Sequence, residues 1–254
     1  MKPQLLIACD FDGTVTLQDT LVEILDRYGA PDWRRIQDQV VSGALSIREG
    51  LTREMATVHA DAATLKGLLA EKVKLDPTFP PFFNHMQLKG IPVVLLTGGF
   101  DFCVEAVLGR HPMGPIPYLS NHLTEVSSSG SLLSSSRKRG SDSRLRLPTG
   151  RQAGMTGWFG NDNSSRWQIE FPFPSQRCQD CGYCKADPIL DWKEQGYTTV
   201  FIGNGVTDRC PTQAADLAFA KDELLDWAQA NGVHSEAFTN FNDVEQEMRS
   251  REWI

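Results

Sequence analysis

The stretch QLLIACDFDGT, residues 4–14, decides the fold. Its first part, residues 4–9, is a short apolar run of strand length, and it stops abruptly at two aspartates and a glycine, the composition of a tight turn. Two later segments repeat the arrangement. Ile91 to Leu96 runs into TGG at 97–99, and Thr198 to Ile202 runs into GNGVTD at 203–208. Strand-sized apolar runs separated by helical patterns predict an α/β fold with a parallel sheet and helices on its faces. Open sheets of this kind bind ligands outside the carboxyl ends of their strands, so the three polar motifs are expected to meet there.

The first two strands are separated by about 70 residues, too many for a plain crossover. Asp19 to Tyr28 has helical spacing, with Leu21, Ile24 and Leu25 on one side, and Ile47 to His59 repeats it with Leu51 and Met55. Residues 16–77 therefore read as an inserted helical cap, with Pro77, Pro80 and Pro81 marking the return to a core made of 1–15 and 78–254. Further along, Phe102 to Leu108 predicts a helix and Ile116 to Leu119 a strand. Residues 127–165 break the pattern with serines, glycines and arginines and read as a flexible insertion. Pro188 to Glu194, Lys221 to Gln229 and Asp243 to Arg249 read as helices, and Leu217 to Phe219 as a strand.

The composition suits a globular core, with 41% hydrophobic residues. No apolar run approaches the roughly 18 residues that span a bilayer, and the opening MKPQLLIACDFDG lacks the pattern of a secretory signal. The formal net charge of −7 argues against nucleic acid as a partner. The basic run at 137–139, with Arg144, Arg146 and Arg151, lacks the aromatic interleaving of a nucleic-acid surface. Six cysteines without a secreted spacing pattern point to a reducing, cytoplasmic setting.

The chemistry starts at Asp10 and Asp12. Residues i and i+2 of an extended segment point to one side, so the two carboxylates converge at the strand mouth. One carboxylate can attack phosphorus to give an aspartyl-phosphate, and the other can act as general acid and base. Taken alone, the pair also reads as a turn or a simple metal site. Thr97, Gly98 and Gly99 offer a hydroxyl and exposed amides to a phosphoryl group, although TGG by itself is equally a structural turn. Asn204 and Asp208 offer oxygen ligands to a divalent cation, or a turn residue and a helix cap. Lys185, ahead of the last motif strand, is either a solvated lysine or a cation for Asp10 and phosphate.

In combination, DFDGT at 10–14, LLTGG at 95–99, Lys185 and GNGVTD at 203–208 resemble the four ordered motifs of haloacid-dehalogenase-type phosphatases, in the subclass with a helical cap between motifs one and two. The resemblance implies a Rossmann-like core, Asp10 as nucleophile, Asp12 as acid and base, Thr97 as phosphate-binding hydroxyl and Lys185 as stabilising cation. It also implies Mg2+ held by Asp10, the backbone carbonyl of Asp12 and the fourth motif, where Asp208 is the second acid. The first acid of that motif is replaced by Asn204, one negative charge fewer, which leaves a weakly active or inactive binding or regulatory protein as the contrasting expectation.

The segment GNGVTDRCPTQAADLAFAKDELLDWAQANG, residues 203–232, resembles the methionine-salvage enol-phosphate phosphatases. That implies a small phosphorylated metabolite as substrate, led by 2-hydroxy-3-keto-5-methylthiopentenyl-1-phosphate, with phosphoserine as the alternative. Asp19, Glu23, Arg48 and Arg53 are the cap's candidate substrate contacts. A carboxylate paired with an arginine suits an amino acid, whereas an apolar pocket without that pair suits the methylthio compound. Cys178, Cys181 and Cys184, spaced C-x2-C-x2-C, read as three ligands of a structural zinc, as a redox group, or as reduced cysteines fixing a turn beside Lys185.

Overall fold

The computed structural model describes residues 3–126, 166–173, 175, 177, 178 and 180–254. The chain begins with β1 (Leu5–Cys9), then α1 (Thr20–Tyr28), α2 (Arg34–Val41), α3 (Ile47–Ala56), α4 (Ala62–Lys72) and α5 (Phe79–Leu88). Next come β2 (Val93–Phe100), α6 (Asp101–Leu108), β3 (Tyr118–Glu125) and β4 (Trp167–Glu170). They are followed by α7 (Ala186–Glu194), β5 (Thr198–Gly203), α8 (Arg209–Ala214), β6 (Leu217–Ala220), α9 (Asp222–Ala230), β7 (Glu236–Ala237) and α10 (Phe241–Ser250). The Ser- and Arg-rich segment 127–165, with its basic run, lies outside the described residues.

The strands form one sheet in the order β4-β3-β2-β1-β5-β6-β7. All neighbours are parallel except β4, which runs antiparallel to β3. β1 lies between β2 and β5, with Ile7 opposite Val93 on one side and Val200 on the other. The chain departs from β1 in both directions, so the sheet has its topological switch point at the end of this strand.

Alternation along β1 divides its side chains between two apolar clusters. Leu5, Ile7 and Cys9 pack on one face with Val93, Leu95, Val200 and Ile202. Leu6 and Ala8 pack on the other with Val94, Leu96, Phe201, Ile189 and Trp192. Full burial of each Leu or Ile is worth about 1.5–3 kcal/mol, and one residue of register slip would exchange the two faces. The packing therefore holds the strand ends, and the motifs on them, in fixed relative positions.

The helices between β1 and β2 leave and re-enter the sheet through a paired neck. Thr16 bridges Leu75 antiparallel, the Leu17 N–H donates to the Lys74 carbonyl at 2.8 Å, and the Asp76 N–H to the Val15 carbonyl at 2.9 Å. Ile24, Leu25, Leu51, Met55, Leu65 and Leu69 from these helices join the same apolar cluster as one face of the sheet.

Four helices, α2, α4, α5 and the short α8, have no counterpart in the sequence expectations. α2 has no fully buried residue, and its inward side is only the half-buried pair Ile36 and Val40, too short an apolar stripe to mark a helix. α5 begins FPPFF, and prolines expected to mark a connection occupy its first turn, where a missing N–H costs no helix bond. α4 went unread although Asp61 caps it. Two strand limits also change: the strand expected at 116–119 is Tyr118–Glu125, and β2 continues through TGG to Phe100 with a register irregularity after Leu96.

Candidate active site

Three strand ends assemble the site, as the spacing of the motifs predicts. The Asp10 N–H donates to the Ile202 carbonyl at 2.8 Å, which ties the residue after β1 to β5. Lys185, one residue before α7, sends its ammonium into this junction. Its Nζ donates to Asp10 Oδ1 at 2.5 Å, Asp208 Oδ1 at 2.7 Å and Thr207 Oγ1 at 3.1 Å. Lys185, Asp10 and Asp208 are all buried. Burial pushes the lysine's pKa down, but the carboxylates of Asp10 and Asp208 outweigh it and hold the value above the usual lysine range. The ammonium is therefore charged throughout the neutral range.

Asp10 experiences the opposite balance. Burial, followed by the charge of Asp208, pushes its carboxyl up to about 8, although Lys185 pulls it down. One ammonium does not neutralise this group of carboxylates, and a further cation would favour the ionised Asp10.

Asp12 is held by a different set of groups. Its Oδ1 accepts from the Thr20 N–H at 2.9 Å and from Thr20 Oγ1 at 2.6 Å, while Oδ2 accepts from Thr97 Oγ1 at 3.2 Å. Thr97 Oγ1 also accepts from the Gly99 N–H at 2.8 Å. A Cβ on Gly99 would lie 2.9 Å from Asp12 Oδ2, so the absence of a side chain there lets β2 approach the acid. Asp208 Oδ2 accepts from the N–H groups of Asn204 and Gly205 at 2.9 and 3.0 Å. Both oxygens of Asp208 thus have partners: one orients Lys185 and the other shapes the GNGVTD turn.

The Asn204 amide reaches back across the site to the first motif. One of its terminal atoms lies 3.0 Å from Thr14 Oγ1, 3.1 Å from the Asp12 carbonyl oxygen and 3.2 Å from Asp10 Oδ2. Gly13 makes room for it, with φ at +75° and a would-be Cβ only 2.5 Å from the other end of the amide. When the amide oxygen faces inward, it lies beside two further oxygens, the Asp12 carbonyl and Asp10 Oδ2. Octahedral Mg2+ with bonds of about 2.0–2.1 Å places adjacent ligands roughly 2.9 Å apart, close to the observed separations. The donor set is hard oxygen and fits the ion, with Asp208 standing behind the cradle.

The expected substrate contacts are scattered. Asp19 caps α1, accepting from the Leu21 and Val22 N–H groups at 2.8 and 3.0 Å. Glu23 lies half-buried one turn further along. Arg53 is exposed and paired with Glu49 at 2.5 Å. The Arg48 guanidinium lies over the Phe171 ring, 4.5 Å from its centre, and the Arg48 backbone N–H donates to the Asp180 carbonyl at 3.1 Å. A residue not anticipated from sequence, Glu54 of α3, is 6% exposed. Burial and then the charge of Asp19 push its carboxyl up to about 7. Thr14 and Thr207 were likewise missed although they lie within motifs, as was Thr20 at the start of α1.

Among the described residues, no three His, Cys, Asp or Glu side chains are placed to hold a metal ion, so the expected zinc triad of Cys178, Cys181 and Cys184 is not formed. All six cysteines are free. Burial, then the neighbouring sulfurs of Cys178, Cys184 and Cys210, push the Cys181 thiol up to about 12. It stays protonated at neutral pH. Among the described residues, no helix is long and apolar enough to cross a membrane.

Residues 7–139 match the haloacid dehalogenase-like hydrolases. A 2-hydroxy-3-keto-5-methylthiopentenyl-1-phosphate phosphatase of Geobacillus thermodenitrificans is 26% identical, with 100% of both chains covered. One from Brevibacillus brevis is 24% identical over 96% of this chain and 95% of the relative. A bifunctional enzyme MtnB/MtnX of Bacillus licheniformis is 27% identical over 98% of this chain, which spans only 51% of that protein. Among solved structures, a phospho-aspartyl intermediate analogue of phosphoserine phosphatase superposes with a TM-score of 0.62 at 15% identity, covering 97% of this chain and 99% of the other.

Proposed function

Because the chain belongs to the haloacid dehalogenase-like hydrolase family, we propose that it hydrolyses a small phosphomonoester through a covalent aspartyl-phosphate on Asp10. The observation that carries this reading is the buried Lys185 ammonium, which joins Asp10 to Asp208 at the strand mouths while Asp12 is held separately by Thr20 and Thr97. The two carboxylates are thereby given different surroundings, as a nucleophile and a proton carrier require.

In the first step an Asp10 carboxylate oxygen bonds to phosphorus as the ester P–O bond breaks, and protonated Asp12 delivers its proton to the departing oxygen. In the second, water attacks phosphorus, Asp12 takes a proton from it, and the bond from phosphorus to Asp10 breaks to release orthophosphate. Lys185 offsets charge on Asp10 and the phosphoryl group. Thr97, Gly98 and Gly99 bind the phosphoryl oxygens, with the Thr97 hydroxyl turning from Asp12 to do so. Asp10, the Asp12 carbonyl and Asn204 would hold Mg2+, which supplies positive charge against the phosphate and favours the ionised nucleophile. We read residues 16–77 as a helical cap over the site.

The relatives' names support 2-hydroxy-3-keto-5-methylthiopentenyl-1-phosphate as the substrate. The surroundings of the insert favour it over phosphoserine: Arg53, paired with Glu49 on the exposed side, does not supply the arginine of a carboxylate-and-arginine pair for an amino acid. Purified protein with Mg2+ should release phosphate from the enol-phosphate with a higher kcat/KM than from phosphoserine. Asp10→Asn should lose at least about 1,000-fold in kcat because the nucleophile is gone. Equal turnover by Asp10→Asn would refute the covalent route, and a preference for phosphoserine would reverse the substrate assignment.

A further inference from the structure

The Asn204 amide can present either end, oxygen or NH2, to the same three neighbours, and the two choices have opposite hydrogen-bonding character. With Oδ1 inward, it accepts from Thr14 Oγ1 at 3.0 Å but also faces the Asp12 carbonyl and Asp10 Oδ2, which are acceptors as well. With Nδ2 inward, it donates toward Thr14 Oγ1, the Asp12 carbonyl at 3.1 Å and Asp10 Oδ2 at 3.2 Å. The first orientation needs a cation between the oxygens, and the second needs none.

We propose that Asn204 is a cation-linked rotor: without Mg2+ its Nδ2 turns inward and stands in for the ion, and on Mg2+ entry the amide rotates by half a turn about Cβ–Cγ to present Oδ1. This rests on the phosphatase reading, which puts the ion in that cradle. Thr14 supports the exchange, because its buried hydroxyl accepts from Nδ2 in one state and donates to Oδ1 in the other. Gly13 provides the clearance on the far side of the amide.

An aspartate at this position has no N–H to donate. It would leave a carboxylate against Asp10 Oδ2 and the Asp12 carbonyl when the ion is absent, and would add a negative charge when the ion is present. The amide therefore lowers the protein's dependence on the metal for stability and weakens metal affinity, two effects with one cause.

The test compares wild type with Asn204→Asp, in EDTA and across a MgCl2 titration, by thermal unfolding and calorimetric binding. Asn204→Asp is expected to melt below wild type in EDTA, to gain more from Mg2+, and to bind Mg2+ at least tenfold more tightly, as added ligand charge dictates. Equal melting in EDTA together with unchanged Mg2+ affinity would overturn the rotor. A second measurement does not depend on the variant folding. In wild type labelled with 15N-asparagine, one side-chain NH2 pair should be protected from hydrogen exchange without metal and lose that protection with Mg2+. Protection that saturating Mg2+ does not alter would reject the proposal. Turnover of para-nitrophenyl phosphate, followed in parallel, separates the two readings: turnover with an unmoved amide rejects the rotor alone, whereas no turnover and no Mg2+ binding reject the phosphatase reading and the rotor with it.

Discussion

Replacing Lys185 with methionine removes the ammonium while keeping much of the side chain's apolar length. Three bonds disappear, of 2.5, 2.7 and 3.1 Å, and the carboxyls of Asp10 and Asp208 are left facing each other in a buried site. Removing one partner from a buried ion pair costs about 3–5 kcal/mol. In a domain of this size each kcal/mol moves the midpoint by about 2–4 °C, so Lys185→Met should melt about 6–20 °C below wild type at pH 8. The deficit should depend on pH in a defined direction. Asp10 is already pushed from its ordinary 3.8 up to about 8 by burial and Asp208, and loss of Lys185 pushes it higher. A carboxyl whose folded pKa exceeds its unfolded value favours folding at low pH, and that contribution is lost as pH rises through the interval between the two. The deficit should therefore grow from pH 7 to pH 9, because below about 8 Asp10 binds a proton in both folded proteins, whereas above it wild type loses that proton and the variant keeps it. Urea unfolding of both proteins at the two pH values measures it. A loss below about 1 kcal/mol at pH 8, or one that does not grow between pH 7 and pH 9, would refute the view that Lys185 acts by neutralising a buried carboxylate pair.

Gly13→Ala should destabilise the protein by about 1–3 kcal/mol, because an L-residue at this positive φ is strained and its Cβ would displace Asn204; denaturant midpoints measure the loss. Glu54→Gln should be more stable than wild type at pH 8, by on the order of 2 kcal/mol, and equal to it near pH 4. The sign follows from a folded carboxyl pushed up to about 7, whose stabilising proton is lost as pH rises from its ordinary 4.5 through that value. Asp216→Asn should cost about 1 kcal/mol at pH 7 and little at pH 3. Burial raises the Asp216 carboxyl, but bonds from Thr199 and Lys193 outweigh it and hold the value below the usual range, so the contribution is present above the unfolded pKa and lost as pH falls.

The strands carrying the motifs were legible because their signals are local. Each is a short apolar run bounded by polar turn residues, and burial on both faces of a parallel sheet demands that composition. α1 and α3 were legible from their apolar spacing, and Asp19 and Ser46 cap them. α2 was not, because its inward side is only the half-buried pair Ile36 and Val40. In the site, Asp10, Asp12, Thr97, Lys185, Asn204 and Asp208 could all be named from the four motifs, and the structure brings them together. Of the candidate substrate contacts, spacing alone could not tell Arg53, which pairs outward with Glu49, from Glu54 beside it, which turns inward. The cysteine spacing allowed close thiolates without specifying their directions, and no three-ligand group forms among the described residues.

By itself, then, the sequence determined the α/β class, the order of the motif strands and the identity of the candidate site groups, since hydrophobic period and turn chemistry act between residues a few positions apart. Only the tertiary structure decided what those groups touch. Lys185 meets Asp10 across 175 positions, and Thr14 meets Asn204 across 190. Contacts of that separation follow from strand order and packing rather than from local preference. The charge balance around Asp10, the burial of Glu54 and the two orientations available to Asn204 arise from those contacts, because burial and the distance between charges exist only once the chain has folded.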